Sequence, residues 1–153
     1  MLQFYADFLN RLEDLHRDIE KCIDRMPPEG LDWSPGDEMN SMAVLVVHTL
    51  GAERYWIGDM SGQPSSGRDR DSEFRAADTD EAALKQAITD ADAYAKSVLE
   101  KLTMEDLPVA QVSPRNQREF TVGWSLLHAL EHTALHLGHL QILRQLWDHR
   151  NTQ

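Results

Sequence analysis

Helical periodicity is the feature that most constrains this chain. Four segments place apolar residues at intervals of three and four, over about 2–26, 41–60, 78–102 and 121–147. This spacing puts the apolar side chains of each segment on one helix face, and no segment shows the sustained alternation of a half-buried strand. Four amphipathic helices without strands predict an all-α fold, most economically a four-helix bundle.

The first three segments each contain one stripe of residues that we expect to face a core. Asp78 and Glu81 have the offset of an N-terminal capping box at the start of the third segment. The predicted core positions are Phe4, Phe8, Leu12, Leu15, Ile19, Cys22 and Met26 in the first segment, Met42, Leu45, His48, Ala52 and Tyr55 in the second, and Leu84, Ile88, Ala91, Ala95, Val98 and Leu102 in the third.

The length of 153 residues predicts a single domain over 1–153. Two connections, 62–79 and 103–120, are longer than the usual links between bundle helices. Either one is long enough to run the length of a bundle and join two parallel helices, and either is equally consistent with a surface loop.

Charge and cysteine content exclude several classes of partner. Fifteen Lys and Arg against 26 Asp and Glu leave a net charge of −11, which is unfavourable for binding nucleic acid or an anionic membrane surface. The longest nearly uninterrupted apolar run, 42–47, is far shorter than the ~20 residues of a membrane helix, and the start of the chain lacks the pattern of a secretion signal. With Cys22 as the single cysteine, we predict a cytoplasmic protein.

Four of the seven histidines cluster in the last helix, at His128, His132, His136 and His139. At about 100° per residue, the four side chains project within about a quarter of the helix circumference. Leucines at 135, 143 and 146 fall on or beside this arc, so we expect the histidines to face the core.

Histidines four residues apart on a helix are typical ligands of a transition metal. The spacing does not choose between the pairs His128/His132 and His132/His136, and a buried histidine can also be a core residue with a hydrogen-bonded neighbour. His48 is the natural third ligand, because it occupies a core-facing position in the second helix. Three neutral imidazoles leave open coordination positions, as in a catalytic metal site.

Other chemistries find less support in the sequence. A carboxylate-bridged di-iron bundle needs two Glu-x-x-His strings, and only Glu13–His16 is present. No general base is predicted, because Glu131 points about 100° away from His132 on the helix. Catalytic residues other than metal ligands therefore stay unassigned.

Two sequence stretches resemble the DinB-like superfamily of metal-dependent bundle proteins. The stretch SMAVLVVHTLGAERYWIGD contains His48 at the family's second-helix ligand position, and HALEHTALHLGHLQILRQLW contains the family's pattern of His132, His136 and Gly138. The LDWSP segment at 31–35 also resembles the family's connection between the first two helices. The resemblance thus selects His48, His132 and His136 as the metal ligands.

The resemblance implies an up-down-down-up bundle, with a crossover between the second and third helices at 62–79. It also implies a divalent metal, Zn²⁺ or Ni²⁺, and a small-molecule substrate such as a low-molecular-weight thiol. The chain departs from the family at His139, where Gln is usual, and at the additional His128. Each of these is interpreted as an outer-shell partner, an alternative ligand or, with greatest weight, an ordinary core histidine.

The last helix also has apolar residues opposite its histidines, at Leu126, Leu130 and Leu137. A helix that is apolar on both faces needs a second packing partner, which predicts a homodimer contact. The alternative is that segment 103–120 covers these leucines.

Two functions are consistent with these sequence features. The first is a metal-dependent enzyme in which one ion on three histidines activates a water or a thiol, as in a hydrolase or a thiol transferase or isomerase. The second is a non-enzymatic, stress-associated helical dimer whose metal is structural or absent.

Overall fold

The computed structural model describes residues 1–150, and most of them are helical, which confirms the predicted all-α class. None of the helices in this range is long and apolar enough to cross a membrane. The elements in chain order are α1 (Gln3–Ile23), α2 (Pro28–Leu31), α3 (Met42–Glu53) with a π-helical turn (Arg54–Gly58) and a 3-10 turn (Asp59–Ser61), α4 (Arg70–Glu73), α5 (Glu81–Leu99), β1 (Ala110–Val112), β2 (Glu119–Thr121) and α6 (Val122–Arg150).

Polar side chains cap the two long helices that follow loops. Ser41 caps α3 and Asp80 caps α5, each by accepting a backbone N–H of the first turn. The predicted capping box is therefore wrong. Asp78 lies two residues before the cap, with a positive φ of 57°, and its side chain is not the one that meets the helix N-terminus.

The expectation that the chain has no strands is also wrong. The connection between α5 and α6 contains a small antiparallel sheet in which Gln111 of β1 pairs with Phe120 of β2. Each strand has only three residues, which is too short for alternation to be recognised in the sequence.

The four long helices pack in a ring in which α1 and α3 each contact both α5 and α6. Hydrogen bonds join the helix ends. The Tyr5 hydroxyl, near the start of α1, donates to the carbonyl of Thr103, just after α5. Lys85, near the start of α5, donates to the Asp24 carboxylate just after α1, and Arg144 near the end of α6 donates to the Asp24 carbonyl.

The core consists of two apolar clusters at different heights along the bundle. Each cluster draws side chains from all four long helices or their extensions. The first contains Leu15, Ile19, Ile23, Met42, Val46, Leu84, Ile88, Leu137 and Leu140 among others, and the second contains Tyr5, Phe8, Leu12, Ile57, Ala95, Val98, Leu99 and Leu126 among others.

Between the two clusters lies a polar layer, which we define as His16, Glu53, Asp92 and Thr133, one residue from each long helix. His16 Nε2 lies 2.9 Å from Glu53 Oε2, and His16 Nδ1 lies 2.6 Å from Asp92 Oδ1. The Thr133 hydroxyl donates to Glu53 Oε1 at 2.6 Å. Burial alone would lower the pKa of His16, but the carboxylates of Glu53 and Asp92 outweigh it and raise that pKa to about 10. His16 is therefore a buried cation at neutral pH.

The prediction that the leucines opposite the α6 histidines lie outside the core, where a second copy of the chain could cover them, is wrong. Leu126 and Leu137 are 1% and 6% exposed, and both belong to the core clusters. The buried face of α6 is centred on Ala129, Thr133 and Leu140, so the histidines and the leucines occupy its two edges. The structure therefore offers no support from these leucines for a dimer contact.

Three residues expected in or beside the core are exposed instead, namely Phe4, Leu135 and Leu146. Cys22 lies in the first cluster as predicted. Burial raises the pKa of its thiol more than the nearby Arg144 guanidinium lowers it.

We expect the polar layer to make stability depend on pH between about 6.5 and 10. Because the pKa of His16 is raised in the folded protein, its stabilising charge is fully present below its ordinary pKa and is lost as the pH rises toward about 10. The difference in unfolding free energy between the wild type and His16→Gln should shrink by roughly 2–4 kcal/mol over this range, measured by urea denaturation. An NMR titration in which the His16 ring loses its proton below pH 7 would contradict this.

Candidate metal centre

Three imidazoles from two helices meet at the contact between α3 and α6. The ring centroid of His48 lies 5.1 Å from that of His132 and 5.1 Å from that of His136. His132 Nε2 and His136 Nε2 are 3.2 Å apart, and one nitrogen from each of the three rings lies within 4.8 Å of the others. The structure thus brings together the three residues selected by the family resemblance.

The nitrogen spacing suits one transition-metal ion. Two ligands with bonds of ~2.1 Å to the same ion are roughly 3.0–3.4 Å apart at 90–110°. The 3.2 Å between the Nε2 atoms of His132 and His136 lies within this range. A 3.2 Å approach also permits an N–H···N hydrogen bond between two neutral rings, so it is the third imidazole, that of His48, that makes the donor set fit a metal.

The local electrostatics keep two of these rings neutral. Burial, together with the neighbouring imidazoles, lowers the pKa of His132 to about 3 and that of His136 to about 4. Neutral imidazole is the form that binds a metal, so both nitrogens are available at neutral pH without the loss of a proton.

His48 is oriented by a buried carboxylate on α4. Its Nδ1–H donates to Glu73 Oε2 at 2.8 Å, which leaves Nε2 for the metal. The Arg68 guanidinium donates to both Glu73 oxygens, at 2.6 and 2.8 Å. Although burial raises the pKa of Glu73, hydrogen bonds from Arg68 and His48 lower it by more, so the carboxylate stays charged.

A glycine on α3 makes room for this carboxylate. Gly51 lies one turn after His48, and a Cβ built on it would overlap the Glu73 carboxyl group. The absence of a side chain at position 51 therefore allows α4 to approach α3 closely enough for Glu73 to reach His48.

The two additional histidines lie outside the three-ring group. The His128 ring stacks on Trp124 with centroids 4.8 Å apart, and its Nδ1 lies 3.4 Å from Glu131 Oε2. His139 is exposed, with its Nδ1 3.4 Å from His136 Nδ1. The structure therefore pairs His132 with His136, and His139 lies beside the site rather than in the core.

Sequence reasoning missed Glu73 and Arg68 as parts of this site. Both lie in the charged connection 62–79, where acidic and basic side chains usually face solvent. The ring of Phe74, from the same connection, lies 4.6 Å from the His48 ring. The unusual length of this connection was the one sequence signal that it folds back over the site.

Comparisons with known proteins identify relatives of this chain by sequence and by fold. The sequence matches the model of the mycothiol-S-transferase family over residues 7–149, whereas a comparison with curated proteins gives no significant match. The fold is similar to that of a conserved protein from Enterococcus faecalis, with a TM-score of 0.77 and 17% identity over 95% of this chain and 98% of that chain.

Two further solved structures are DinB-like proteins. The one from Bacillus cereus has a TM-score of 0.74 and 15% identity over 92% of this chain and 91% of that chain. The one from Bacillus subtilis has a TM-score of 0.63 and 18% identity over 93% of this chain and 92% of that chain. At such identities these likenesses concern the fold alone.

We expect His132→Ala to lower metal occupancy at least ~10-fold, because it removes one ligand and the partner of His136. His149→Ala, at an exposed position near the end of α6, serves as the matched control and should retain full occupancy. Elemental analysis of protein purified without an affinity tag or added metal provides the measurement. Equal occupancy in the two variants would be inconsistent with this ligand assignment.

Glu73→Gln should weaken metal affinity by roughly 10–100-fold, the usual effect of losing an outer-shell carboxylate. The neutral amide no longer balances the Arg68 charge beside His48. Chelator competition measures the affinity, and thermal melting of the metal-free proteins shows whether the variant is folded. Glu131→Gln, at an exposed carboxylate on α6, should bind metal like the wild type.

Proposed function

The chain belongs to the mycothiol-S-transferase family of the DinB-like superfamily, and from this premise we propose that it is a metal-dependent S-transferase. Its substrates would be a low-molecular-weight thiol, for which the family name suggests mycothiol, and a small electrophilic acceptor. The single observation that carries the proposal is the convergence of His48, His132 and His136 on one point.

These three histidines would hold one divalent ion, Zn²⁺ or Ni²⁺, since three imidazole nitrogens suit either metal. When bound, such an ion supplies an electrophilic centre that lowers the pKa of an adjacent thiol or water. Glu73 and Arg68 contribute by fixing the tautomer and orientation of the His48 ring.

The exposure of the site favours an enzyme over a protein with a structural metal. His132 and His136 are only partly buried, so part of each ring faces solvent. A structural site is usually closed by four protein ligands, and the described residues group three histidines here. A bound ion could activate either a thiol or a water, and the family match favours the thiol.

We also propose the up-down-down-up order for the four long helices. The contacts of Tyr5 with Thr103 and of Lys85 with Asp24 support opposite directions for α1 and α5. The bonds from Arg144 to the end of α1 support a common direction for α1 and α6. On this topology, connection 62–79 is the crossover, and the chain is a single domain.

Two further predictions from the sequence remain proposals. The cytoplasmic location rests on the unpaired Cys22 and on the kind of thiol chemistry suggested by the family. The homodimer remains a proposal without an assigned surface, because Leu126 and Leu137 are buried.

With Zn²⁺ or Ni²⁺ bound, the protein should conjugate mycothiol to monochlorobimane at least ~100-fold faster than the metal-free protein, because thiol activation depends on the ion. His48→Ala should reduce the rate to that of the metal-free protein, and His149→Ala should not change it. Fluorescence of the conjugate, with its mass as confirmation, provides the measurement. Equal rates with and without metal, or release of hydrolysed acceptor instead of a thioether, would argue against an S-transferase.

A further inference from the structure

One face of α6 carries large apolar side chains that remain exposed in the part of the chain that the structure describes. We define the α6 stripe as Leu127, Leu135, Gly138, Ile142 and Leu146. Its four large side chains are 65%, 57%, 53% and 40% exposed, in chain order. At about 100° per residue the five positions fall within about 100° of arc, and they extend over about 30 Å of the helix. An apolar stripe of this length is typical of an interaction surface.

The charge distribution favours a second copy of the chain as the occupant of the stripe. The helix contains two basic and two acidic side chains, Arg144, Arg150, Glu131 and Asp148, so with neutral histidines it has no net charge. The rest of the chain therefore carries the whole net charge of −11. Two copies repel each other when they meet through that remaining surface, whereas α6 can meet α6 without this cost.

The same charges disfavour a lipid surface. Amphipathic helices that bind anionic membranes carry many Lys and Arg beside their apolar face. Along its whole length α6 has two arginines, and Arg144 already donates to the backbone carbonyls of Cys22 and Asp24.

A hole beside the stripe fits one of the stripe's own side chains. It is a pocket of about 240 Å³ between α6 and the loop before α3, lined in part by Met39, Leu45, Ile142 and Leu143. An apolar cavity of ~150 Å³ holds benzene, so this pocket has room for a leucine side chain. Leu135 projects from the same face about two turns before Ile142. A face that supplies both the projecting side chain and the hole is suited to pack against its own copy about a two-fold axis.

Gly138 lies near the middle of the stripe and allows close approach of a second helix. A Cβ built on it would meet nothing within 4 Å, so no described neighbour in the single chain occupies this space. If two α6 helices cross antiparallel here, Leu135 of each copy faces Ile142 of the other. The two Glu131 side chains are then about 22 Å apart along the helices, well beyond the Debye length of ~8 Å, and do not repel each other strongly.

The area of the stripe indicates a dimer of modest affinity. Its four half-exposed side chains offer a few hundred Å² of apolar surface, about half of the ~800 Å² that each partner of a standard interface buries. Met39, which is 51% exposed at the edge of the pocket, adds to this area, as do the polar side chains that flank the stripe. Such an interface is expected to form at micromolar concentrations rather than below them.

We propose that the α6 stripe is the interface of a homodimer in which two α6 helices cross antiparallel at Gly138. Leu135 of each copy enters the pocket beside Ile142 of the other copy. The surface differs from the one expected from the sequence, since Leu126 and Leu137 lie in the core. The interface does not depend on the proposed S-transferase chemistry, so either can fail without the other.

Sedimentation equilibrium of the full-length protein from ~1 to ~100 µM tests the dimer. We expect the mass to approach twice the 17.5 kDa of one chain. Leu135→Glu should raise the dissociation constant at least ~100-fold, because it places a carboxylate in an apolar pocket that Glu38 also lines. Val112→Glu, at a residue of β1 that is 53% exposed, is the matched control and should leave the constant unchanged.

Both substitutions are at exposed positions, and thermal melting followed by circular dichroism verifies that each variant is folded. A wild type that remains a monomer at the highest concentration would overturn the proposal, whatever else binds the stripe. A dimer that Leu135→Glu does not weaken, or that both variants weaken equally, would place the interface elsewhere and also overturn it.

Disulfide cross-linking tests the antiparallel geometry. Within one chain, positions 135 and 142 are about 10 Å apart along the helix, too far for a disulfide. The double variant Leu135→Cys/Ile142→Cys should therefore form covalent dimers on mild oxidation, seen on a non-reducing gel. Each single variant should form at least ~10-fold less, because equivalent positions lie apart across the axis. The native Cys22 is buried and should not contribute. Equal cross-linking of the single and double variants would overturn the antiparallel crossing.

Discussion

The structure depends on the buried polar layer that joins the four long helices at one height. A buried charge is costly unless every partner is in place, so His16⁺ restricts the helices to arrangements in which Glu53 and Asp92 both reach it. Apolar clusters above and below supply most of the burial, but apolar packing tolerates substitution and repacking. The polar layer does not, and it therefore fixes the register of the bundle.

This register also positions the three histidines of the candidate metal centre. Glu53 lies five residues after His48 on α3, and its partner Thr133 directly follows His132 on α6. A shift of one turn between α3 and α6 would break the Thr133–Glu53 hydrogen bond and move His48 by about 5.4 Å from the other two rings. The precision of the candidate site thus derives from a contact that is itself outside the site.

The fold class could be predicted from sequence because it depends on spacing along single helices. Spacing left two histidine pairs open, and the family resemblance was needed to select His48, His132 and His136. The helical wheel failed for Leu126 and Leu137, because a broad buried face leaves apolar residues on both of its edges. Glu73 could not be predicted, since nothing local indicates that a charged connection folds back over His48. Periodicity along the sequence identifies helices and their faces, but it does not show where a loop packs in the tertiary structure.

For the S-transferase proposed above, which would bind electrophiles, the burial of Cys22 has a direct consequence. Its thiol is shielded in the core, and its raised pKa keeps it protonated, whereas alkylating agents react with exposed thiolates. An enzyme with an accessible cysteine would be inactivated gradually by its own acceptor substrates. This chain, with its one cysteine protected, is suited to survive repeated exposure to such reagents.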